Sequence, residues 1–153
     1  MVQMLIDSPV GPLTLTAAGD ALTGIDFGDT RDGADGPSPL LEQAAGELAA
    51  YFAGERREFT VPLAPAGTAL QRSVWAQLQK VPYGETATYK DIARRLGKPG
   101  AAIAVGQANS RNPIPIIIPC HRIIGSGGKM VGYAGGLHVK RALLELEGIS
   151  CKD

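Results

Sequence analysis

The sequence predicts an α/β fold of two domains: a small antiparallel sheet with one helix, followed by an α-rich domain that contains a helix-turn-helix. Three observations predict it: short apolar runs between turn residues near the N-terminus, helical periodicity farther along, and a change in charge between the two parts. The chain of 153 residues is 44% hydrophobic and 20% charged, so it can bury a core. We place the domains at 1–66 and 67–153, at a link rich in alanine and proline.

The N-terminal domain, residues 1–66, is predicted from its turns. Three short apolar-rich runs between turn residues predict the antiparallel strands: Gln3–Asp7, Leu13–Ala18 and Leu22–Phe27. The segment Gly28–Pro39, rich in Asp, Gly and Pro, predicts a loop, and apolar residues at helical spacing predict a helix over Leu40–Phe52. Glu58–Leu63 is predicted to be a further strand. We expect this acidic domain to brace the second one without contacting substrate.

The C-terminal domain is predicted to be mainly helical. Four segments show helical periodicity or helix-boundary residues: Ala69–Lys80, Thr88–Leu96, Ala101–Ser110 and Leu137–Glu147. The second and third, joined by a turn at Gly97–Gly100, form a helix-turn-helix pattern of the winged-helix-like kind. The third helix has almost no side-chain bulk, which suits close approach to a narrow groove, although a helix packed inside the protein has the same pattern. The apolar run Ile114–Ile118 predicts a buried extended segment at a sheet margin.

The net charge is zero, but its distribution is uneven. Residues 1–71 contain three basic and ten acidic side chains, whereas residues 72–141 contain eleven and two. This asymmetry indicates a phosphate-facing surface on the second domain, although two ordinary solvated faces would give the same counts. No apolar run is long enough to span a membrane and no signal peptide is visible, so we expect a cytoplasmic protein. Two cysteines and two histidines far apart predict neither a disulfide scaffold nor a metal site.

Cys120 is the candidate nucleophile, because His121 and Arg122 follow it directly. A cationic neighbourhood lowers the pKa of a thiol and raises its thiolate fraction. Neighbouring side chains of an extended strand point to opposite faces, so this Cys-His pair requires a turn, or a water between the two groups. Glu147 lies next to an apolar helix face at the helix end that disfavours a carboxylate, so it needs a partner, and His121 is the candidate. Cys151 is expected to be inert.

Four motifs follow one another along the second domain: Tyr83–Thr86, Asn112–Ile124 with its Pro-Cys-His-Arg run, Gly132–Gly136 and Leu143–Gly148. In the same order, they resemble the motifs of the O6-alkylguanine-DNA alkyltransferase family. The resemblance is strong over Ala69–Gly148 and looser across the N-terminal sheet. It implies DNA repair by irreversible, single-turnover transfer of an alkyl group from O6-alkylguanine to Cys120, with O4-alkylthymine as a further substrate. It also implies no cofactor and no metal. The implied partner is double-stranded DNA, bound through its minor groove by a monomer that flips the damaged base out of the duplex.

The resemblance also implies a catalytic relay and a substrate pocket. Cys120 is the nucleophile, His121 takes its proton through a water, and Glu147 holds His121. Asn112 is the hinge between the third helix and the active-site segment, which suits an Asn-Pro pair. The other implied pocket residues are Tyr89 at the flipped guanine, and Tyr133 and the backbone amide of Ala134 at its O6.

The implied DNA contacts lie on the third helix and near the nucleophile: Ala102, Ile103, Gly106, Arg111 and Arg122. At Ile103 the sequence departs from the family, which usually has an arginine that fills the gap left by the flipped base. An apolar wedge can still separate bases, but it forgoes the charge and hydrogen bonds of arginine, so we expect weaker DNA binding or base extrusion. Lys129 and Lys140 are predicted to be solvated or phosphate-facing, and Trp75 to be a core residue.

Two other functions fit parts of this pattern. A DNA-binding module that senses alkylated bases without transferring the group would have the helix-turn-helix, but alkyltransferase-like proteins of this kind lack the cysteine. An unrelated Cys-His-Glu hydrolase would give many turnovers on an ester or amide and would have no affinity for DNA. The basic charge of the second domain argues against the hydrolase.

Overall fold

The computed structural model describes residues 1–151, in which a mixed sheet, a short two-stranded ladder and five helices form an α/β fold. The chain divides into two compact units, the first spanning Met1–Ala66 and the second beginning at Gly67. The predicted fold class, a sheet-and-helix unit followed by an α-rich unit, is confirmed. Within the described residues, none of the helices combines the length and the apolar character that a bilayer crossing requires.

The first unit contains a four-stranded sheet. Strands β1 (Val2–Ile6), β2 (Leu13–Ala18) and β3 (Ala21–Phe27) form an antiparallel meander, close to the predicted strands. A short strand β4 (Ala34–Asp35) pairs in parallel with β1 and gives the order β3-β2-β1-β4. The sheet is therefore mixed, and part of the predicted loop Gly28–Pro39 is a strand.

The side chain of Gln3 explains why this loop reaches the sheet. Gln3 is buried on β1, and its Oε1 accepts hydrogen bonds from the backbone N–H groups of Asp32 and Gly33 at 2.9 and 2.8 Å. Its Nε2 donates to Thr16 Oγ1 on β2 at 3.2 Å. These bonds hold the segment before β4 against the edge of β1, and the apolar pattern carries no sign of them.

Helix α1 (Pro39–Phe52) follows the predicted helix closely. Ser38 is its N-cap, and the Ser38 hydroxyl accepts a hydrogen bond from the backbone N–H of Leu41 at 3.2 Å. Its buried face has helical spacing: Leu41, Ala44, Glu47, Leu48 and Tyr51. Within the first unit this face packs against the sheet.

The predicted strand over Glu58–Leu63 is wrong. The buried carboxylate of Glu47 accepts hydrogen bonds from the backbone N–H groups of Thr60 and Val61 at 2.9 and 3.2 Å. The last residue of the segment forms an isolated bridge to Leu22 instead of a ladder. A side chain of α1 thus takes the backbone donors that a strand partner would take.

Four helices make up most of the second unit: α2 (Ala69–Leu78), α3 (Tyr89–Arg95), α4 (Ala102–Ser110) and α5 (Leu137–Leu146). Capping boxes begin α2 at Thr68 and α3 at Thr88, where each N-cap side chain and the third helical residue exchange hydrogen bonds. Helix α4 packs against both α2 and α3. Gly97, with φ of +71°, turns the chain between α3 and α4.

Long-range contacts order these helices within the second unit. Trp75 on α2 is buried, as predicted, and its Nε1 donates to the carbonyl oxygen of Ala108 on α4 at 2.8 Å. A Cβ atom on Gly67 would lie within 2.7 Å of the Trp75 ring, so glycine permits this close approach. Strands β5 (Ala87–Thr88) and β6 (Ile123–Ile124) form a parallel ladder too short for a sequence pattern to predict. The ladder joins the start of α3 to the chain that follows the candidate nucleophile.

The run Ile114–Ile118 is buried but not extended, so the predicted extended segment is wrong. The backbone N–H of Ile118 donates to the Ile114 carbonyl at 3.0 Å, and Ile116 has φ of +75°. A β-branched residue in this left-handed region is strained. Asn112 holds the turn, because its Nδ2 donates to the Ile118 carbonyl at 2.8 Å and its Oδ1 accepts from the Ile114 N–H at 3.0 Å. The side chain of Asn112 thus makes the backbone hydrogen bonds that a neighbouring strand would make in the predicted extended segment.

Candidate active site

The candidate nucleophile lies on a tight turn. Cys120–Arg122 forms one turn of 3-10 helix after Pro119, and all three of its residues are buried. The backbone N–H of Arg122 donates to the Pro119 carbonyl at 3.0 Å and closes the turn. The turn that an adjacent Cys-His pair requires is therefore present, and both side chains can serve one site.

His121 and Glu147 form a fully buried pair. The distance from His121 Nε2 to Glu147 Oε2 is 2.7 Å. Glu147 directly follows α5, and Glu147 Oε1 also accepts from the backbone N–H of Gly84 at 3.3 Å. On the opposite side of the imidazole, Nδ1 is buried and has no hydrogen-bond partner among the residues that the structure describes. The ring is thus held from one side only.

Arg122 was predicted to contact DNA, and this prediction is wrong because the side chain is buried. Its Nε and Nη2 donate to the two carboxylate oxygens of Glu147 at 2.8 and 3.1 Å, and its Nη1 donates to the Val81 carbonyl at 2.7 Å. The guanidinium carbon lies 5.8 Å from the centre of the Tyr83 ring. With 6% of its surface exposed and its charge paired, Arg122 cannot serve as a phosphate contact.

Burial raises the pKa of the Cys120 thiol, which is opposite to the shift expected from its neighbours. The two residues expected to supply positive charge do not do so, because His121 is neutral and Arg122 is paired with Glu147. Asn112 and Tyr133 act toward a lower pKa through their side chains, as do the charge of Lys140 and the backbone at Cys120 itself. The thiol is therefore protonated near neutral pH, and it needs a base before it can act as a nucleophile.

Burial also lowers the pKa of His121, so its ring is neutral near neutral pH. The hydrogen bond and charge of Glu147 act in the opposite direction, whereas the charges of Arg122 and Lys140 add to the lowering. Because an ionised carboxylate only accepts hydrogen bonds, Nε2 carries the proton and Nδ1 carries the lone pair. This is the state of histidine that can take a proton from a thiol.

Lys140 was predicted to be solvated or phosphate-facing, and this prediction is also wrong. The side chain is buried on α5, and its Nζ donates to the carbonyl oxygens of Ile123 and Val131 at 2.5 and 3.2 Å. Burial lowers its pKa to about 8, while the charges of Cys120 and Cys151 act in the opposite direction. The signal that could have identified Lys140 is its register, since leucines three and four residues later share its buried face.

Three of the predicted substrate-binding residues lie beside the thiol. The side chains of Asn112 and Tyr133 act on the thiol of Cys120 and favour a lower pKa. Burial raises the pKa of the Tyr89 phenol, and the charge of the nearby Cys120 adds to this shift. Ala134 is exposed in the segment before α5, next to Tyr133. The structure thus gathers Tyr89, Asn112 and Tyr133 around the candidate nucleophile and leaves Ala134 at the surface.

A surface cavity of about 450 Å³ adjoins α3 and α4. Its lining combines one aromatic ring with mostly small or polar side chains: Tyr89, Lys90, Ala102, Ile103, Gly106, Gln107, Ser110 and Ser126. The side chain of Ile103 is 81% exposed, which is unusual for a large apolar residue. Three of the predicted DNA contacts therefore line the same cavity as Tyr89, while Arg111 is exposed at the C-terminal end of α4.

Exposed cations are concentrated on this part of the second unit: Lys90, Arg94, Arg95, Lys98 and Arg111. Asp91 is the one acidic residue in the sequence from residue 89 to residue 110. Lys129, on the segment before α5, is exposed as predicted. Across residues 1–151, no three side chains of His, Cys, Asp or Glu converge in a way that could hold a metal ion.

Comparisons with known proteins match both units. The family model described as 6-O-methylguanine DNA methyltransferase, ribonuclease-like domain, matches residues 1–65. The model described as 6-O-methylguanine DNA methyltransferase, DNA binding domain, matches residues 69–149. Between them the two models account for nearly the whole chain.

Individual relatives are similar over nearly the same length. A methylated-DNA--protein-cysteine methyltransferase of Methanosarcina acetivorans is 47% identical over 157 residues, which cover 99% of this chain and 100% of the relative. A protein of the same name from Mycobacterium leprae is 50% identical over 147 residues, covering 93% and 89%. The crystal structure of Mycobacterium tuberculosis OGT in complex with DNA is 51% identical, covers 96% of this chain and 92% of that one, and superposes with a TM-score of 0.89. On these matches the resemblance of the motifs is confirmed, and the chain belongs to the 6-O-methylguanine DNA methyltransferase family.

Proposed function

We propose that this chain repairs O6-alkylguanine in double-stranded DNA by moving the alkyl group irreversibly onto the Sγ atom of Cys120. As a member of its family, the chain is a methylated-DNA--protein-cysteine methyltransferase, and the DNA complex of its M. tuberculosis relative supports DNA as its partner. The observation that carries the proposal is the buried thiol of Cys120 next to a neutral His121 that Glu147 holds at 2.7 Å. This arrangement suits a nucleophile that is inactive until its proton is removed.

The reaction begins with the proton of the thiol. Because burial raises the pKa of Cys120, the thiol is protonated before substrate binds. His121 accepts this proton at Nδ1 through a bridging water, since Nδ1 makes no direct hydrogen bond within the described residues. Glu147, bonded to Nε2, stabilises the imidazolium that forms.

The thiolate then attacks the alkyl carbon. A sulfur–carbon bond forms as the bond between that carbon and guanine O6 breaks, and the electron pair of the broken bond stays with the guanine. Tyr89 keeps its phenolic proton because its pKa is raised, so it can donate a hydrogen bond to the departing base. The thioether on Cys120 has no easy hydrolytic exit, so each molecule acts once and needs no cofactor.

DNA binding is assigned to α3 and α4, which act as a helix-turn-helix. Ala102 and Gly106 leave the surface of α4 smooth, so that its backbone can approach the minor groove closely. Cys120 is only 5% exposed and cannot reach a base inside the duplex, so the damaged guanine must be flipped out. The flipped guanine would pass Tyr89, which lies near Cys120, and Ile103, which lines the same surface cavity as Tyr89, would be the apolar wedge at the vacated position.

Mass spectrometry of the intact protein tests this proposal. The protein is incubated with a duplex containing one O6-methylguanine, alongside Cys120→Ser and the matched control Cys151→Ser. We expect a gain of one methyl group in the wild-type protein and in Cys151→Ser, and none in Cys120→Ser. A methyl group on any other residue would contradict the proposal. So would a wild-type protein that gains neither a methyl group from the duplex nor a benzyl group from free O6-benzylguanine. A duplex with O4-methylthymine tests the second substrate in the same way.

A further inference from the structure

The guanidinium of Arg122 is bonded to the same carboxylate that holds His121. Its Nε donates to Glu147 Oε1 at 2.8 Å and its Nη2 donates to Oε2 at 3.1 Å, and this pair of bonds fixes the plane of the carboxylate. Oε2 is also the oxygen that lies 2.7 Å from His121 Nε2. The third nitrogen, Nη1, is anchored to the Val81 carbonyl, and the Tyr83 ring faces the guanidinium. Arg122 is thus linked to the imidazole of His121 through a single carboxylate, that of Glu147.

A buried carboxylate next to a histidine has two opposed effects. Its hydrogen bond orients the imidazole and selects the tautomer, but its negative charge favours the imidazolium, which cannot accept another proton. The second effect is strong where water is excluded. A catalytic base therefore needs the orientation that Glu147 provides without the full effect of its charge.

The charged and titratable groups around His121 come from its own turn, from α5 and from the residue that directly follows α5: Cys120, Arg122, Lys140 and Glu147. Of these, Glu147 favours the charged ring, and the two cations oppose it. Lys140 is bonded to carbonyl oxygens, so it acts only through its charge. Arg122 differs because it is bonded directly to both oxygens of Glu147.

We propose that Arg122 is a positioning residue for alkyl transfer, which fixes the Glu147 carboxylate and neutralises its charge so that His121 remains a neutral base. The catalytic consequence rests on the proposed function of Cys120 and His121. A lysine could supply the charge but not the paired hydrogen bonds, because its ammonium group lacks the planar fork of arginine. The two contributions can therefore be separated by substitution.

NMR of the imidazole nitrogens can follow His121 directly, because the chain has two histidines and the exposed His138 supplies a reference signal. The same proteins are reacted with free O6-benzylguanine across pH, which requires no DNA. We expect Arg122→Met to raise the pH at which His121 becomes protonated by about one unit or more. The loss of transfer rate at low pH should follow the same shift. Arg122→Lys should keep the wild-type midpoint and lower the rate at every pH.

A double variant keeps the test decisive if Arg122→Met does not fold, since that variant leaves a buried carboxylate without its cation. Arg122→Met with Glu147→Gln removes both charges, and its His121 midpoint should lie near that of the wild-type protein. An unchanged midpoint in Arg122→Met, or an equal shift in the double variant, would overturn the proposal. The NMR result does not depend on alkyl transfer, so a wild-type protein that transfers nothing would count against the proposed function alone.

Discussion

Two buried carboxylates, one in each unit, keep their charge away from water in different ways. Glu47 accepts hydrogen bonds from the backbone N–H and the hydroxyl of Thr60 at 2.9 and 2.7 Å, and the half-exposed Arg56 lies farther away, with its Nη2 at 3.5 Å from Glu47 Oε2. The shortest bonds of Glu47 thus come from neutral groups of a neighbouring segment. Glu147 is bonded instead to His121 and Arg122, one titratable and one charged. Each glutamate also accepts a hydrogen bond from the backbone of a segment distant in sequence, Glu47 from Thr60 and Glu147 from Gly84. Only Glu147 is joined to a group that can move a proton.

The partners, and not the burial, decide what each carboxylate does. Burial raises the pKa of Glu47, but the hydrogen bonds from Gln43 and Thr60 together lower it below its ordinary value. Glu47 therefore stays charged and pins the chain at Thr60. Glu147 is bonded to both His121 and Arg122, and its charge acts toward a higher pKa of His121. We therefore expect the same residue type to serve architecture in one unit and chemistry in the other.

Replacing each carboxylate by an amide should give the largest difference in transfer rate between a change in the first unit and a change in the second. Glu147→Gln should slow alkyl transfer about 100-fold or more, because His121 loses its anionic partner as a general base. Glu47→Gln should lower the free energy of unfolding by about 1–3 kcal/mol, yet keep the transfer rate within about twofold of wild type because it touches no reacting group. Transfer is measured by mass spectrometry and stability by urea unfolding. An equal loss of transfer in both variants would break the comparison.

Acid should affect the second unit through His121. Its pKa lies below the ordinary value of 6.5, so transfer to free O6-benzylguanine should be flat near neutrality and fall about tenfold per pH unit below that pKa. Stability should change with pH in the same direction as the transfer rate, because unfolded His121 binds a proton at a pH where the folded ring does not. The free energy of unfolding should therefore decrease as pH falls below about 6.5. Urea unfolding of His121→Gln should lose this part of the pH dependence, and an unchanged slope would show that another group causes it.

Ile103 should affect DNA handling and not the thiol. Ile103→Arg adds a side chain that can make charge-assisted hydrogen bonds, of about 1.5 kcal/mol each, so repair of duplex DNA should become roughly tenfold faster relative to the reaction with free O6-benzylguanine. The ratio of the two rates, measured on one protein preparation, removes differences in active fraction. An Ile103→Ala variant should move the ratio in the opposite direction. Equal ratios in all three proteins would contradict a role for Ile103 in the duplex.

Removing one helix cap in each unit should give the smallest effects. Ser38→Ala and Thr88→Ala should each lower the free energy of unfolding by about 1 kcal/mol, because each leaves a backbone N–H without its side-chain acceptor. Only Thr88→Ala should also slow transfer, since Tyr89 is the first residue of α3 and stands beside the thiol. Urea unfolding and single-turnover rates separate the two effects. Slower transfer in Ser38→Ala would mean that the first unit affects the chemistry.

Local patterns predict most of the fold because most elements here depend on local physics. The strand Leu13–Ala18 and the helix α1 follow from apolar spacing and turn residues, and their observed bounds agree closely. The pairing of His121 with Glu147 could also be predicted, because a carboxylate at the buried end of a helix needs a partner. In each case the residue types and their spacing in the sequence are enough for the prediction.

The failures have one physical cause, which is a polar side chain bonded to backbone groups or to another buried charge. Hydrogen bonds from the backbone of Asp32 and Gly33 to Gln3 hold part of a predicted loop beside β1, where it forms β4. Hydrogen bonds of Asn112 hold a predicted extended segment in a turn. Arg122 and Lys140 look like surface cations in the sequence, but their burial depends on acceptors that only the folded chain supplies. The raised pKa of Cys120 follows from the same burial. Charges adjacent in sequence therefore indicate little about the field at a buried thiol.

The stoichiometry of repair tests the central claim most directly. The protein is mixed with an excess of duplex containing O6-methylguanine, and the repaired guanine is counted per protein molecule as the reaction reaches completion. One transfer per molecule, with every protein carrying a single methyl group on Cys120, is the result expected from a thioether product. Repair that continues beyond one guanine per protein, with Cys120 recovered unmodified, would contradict the account.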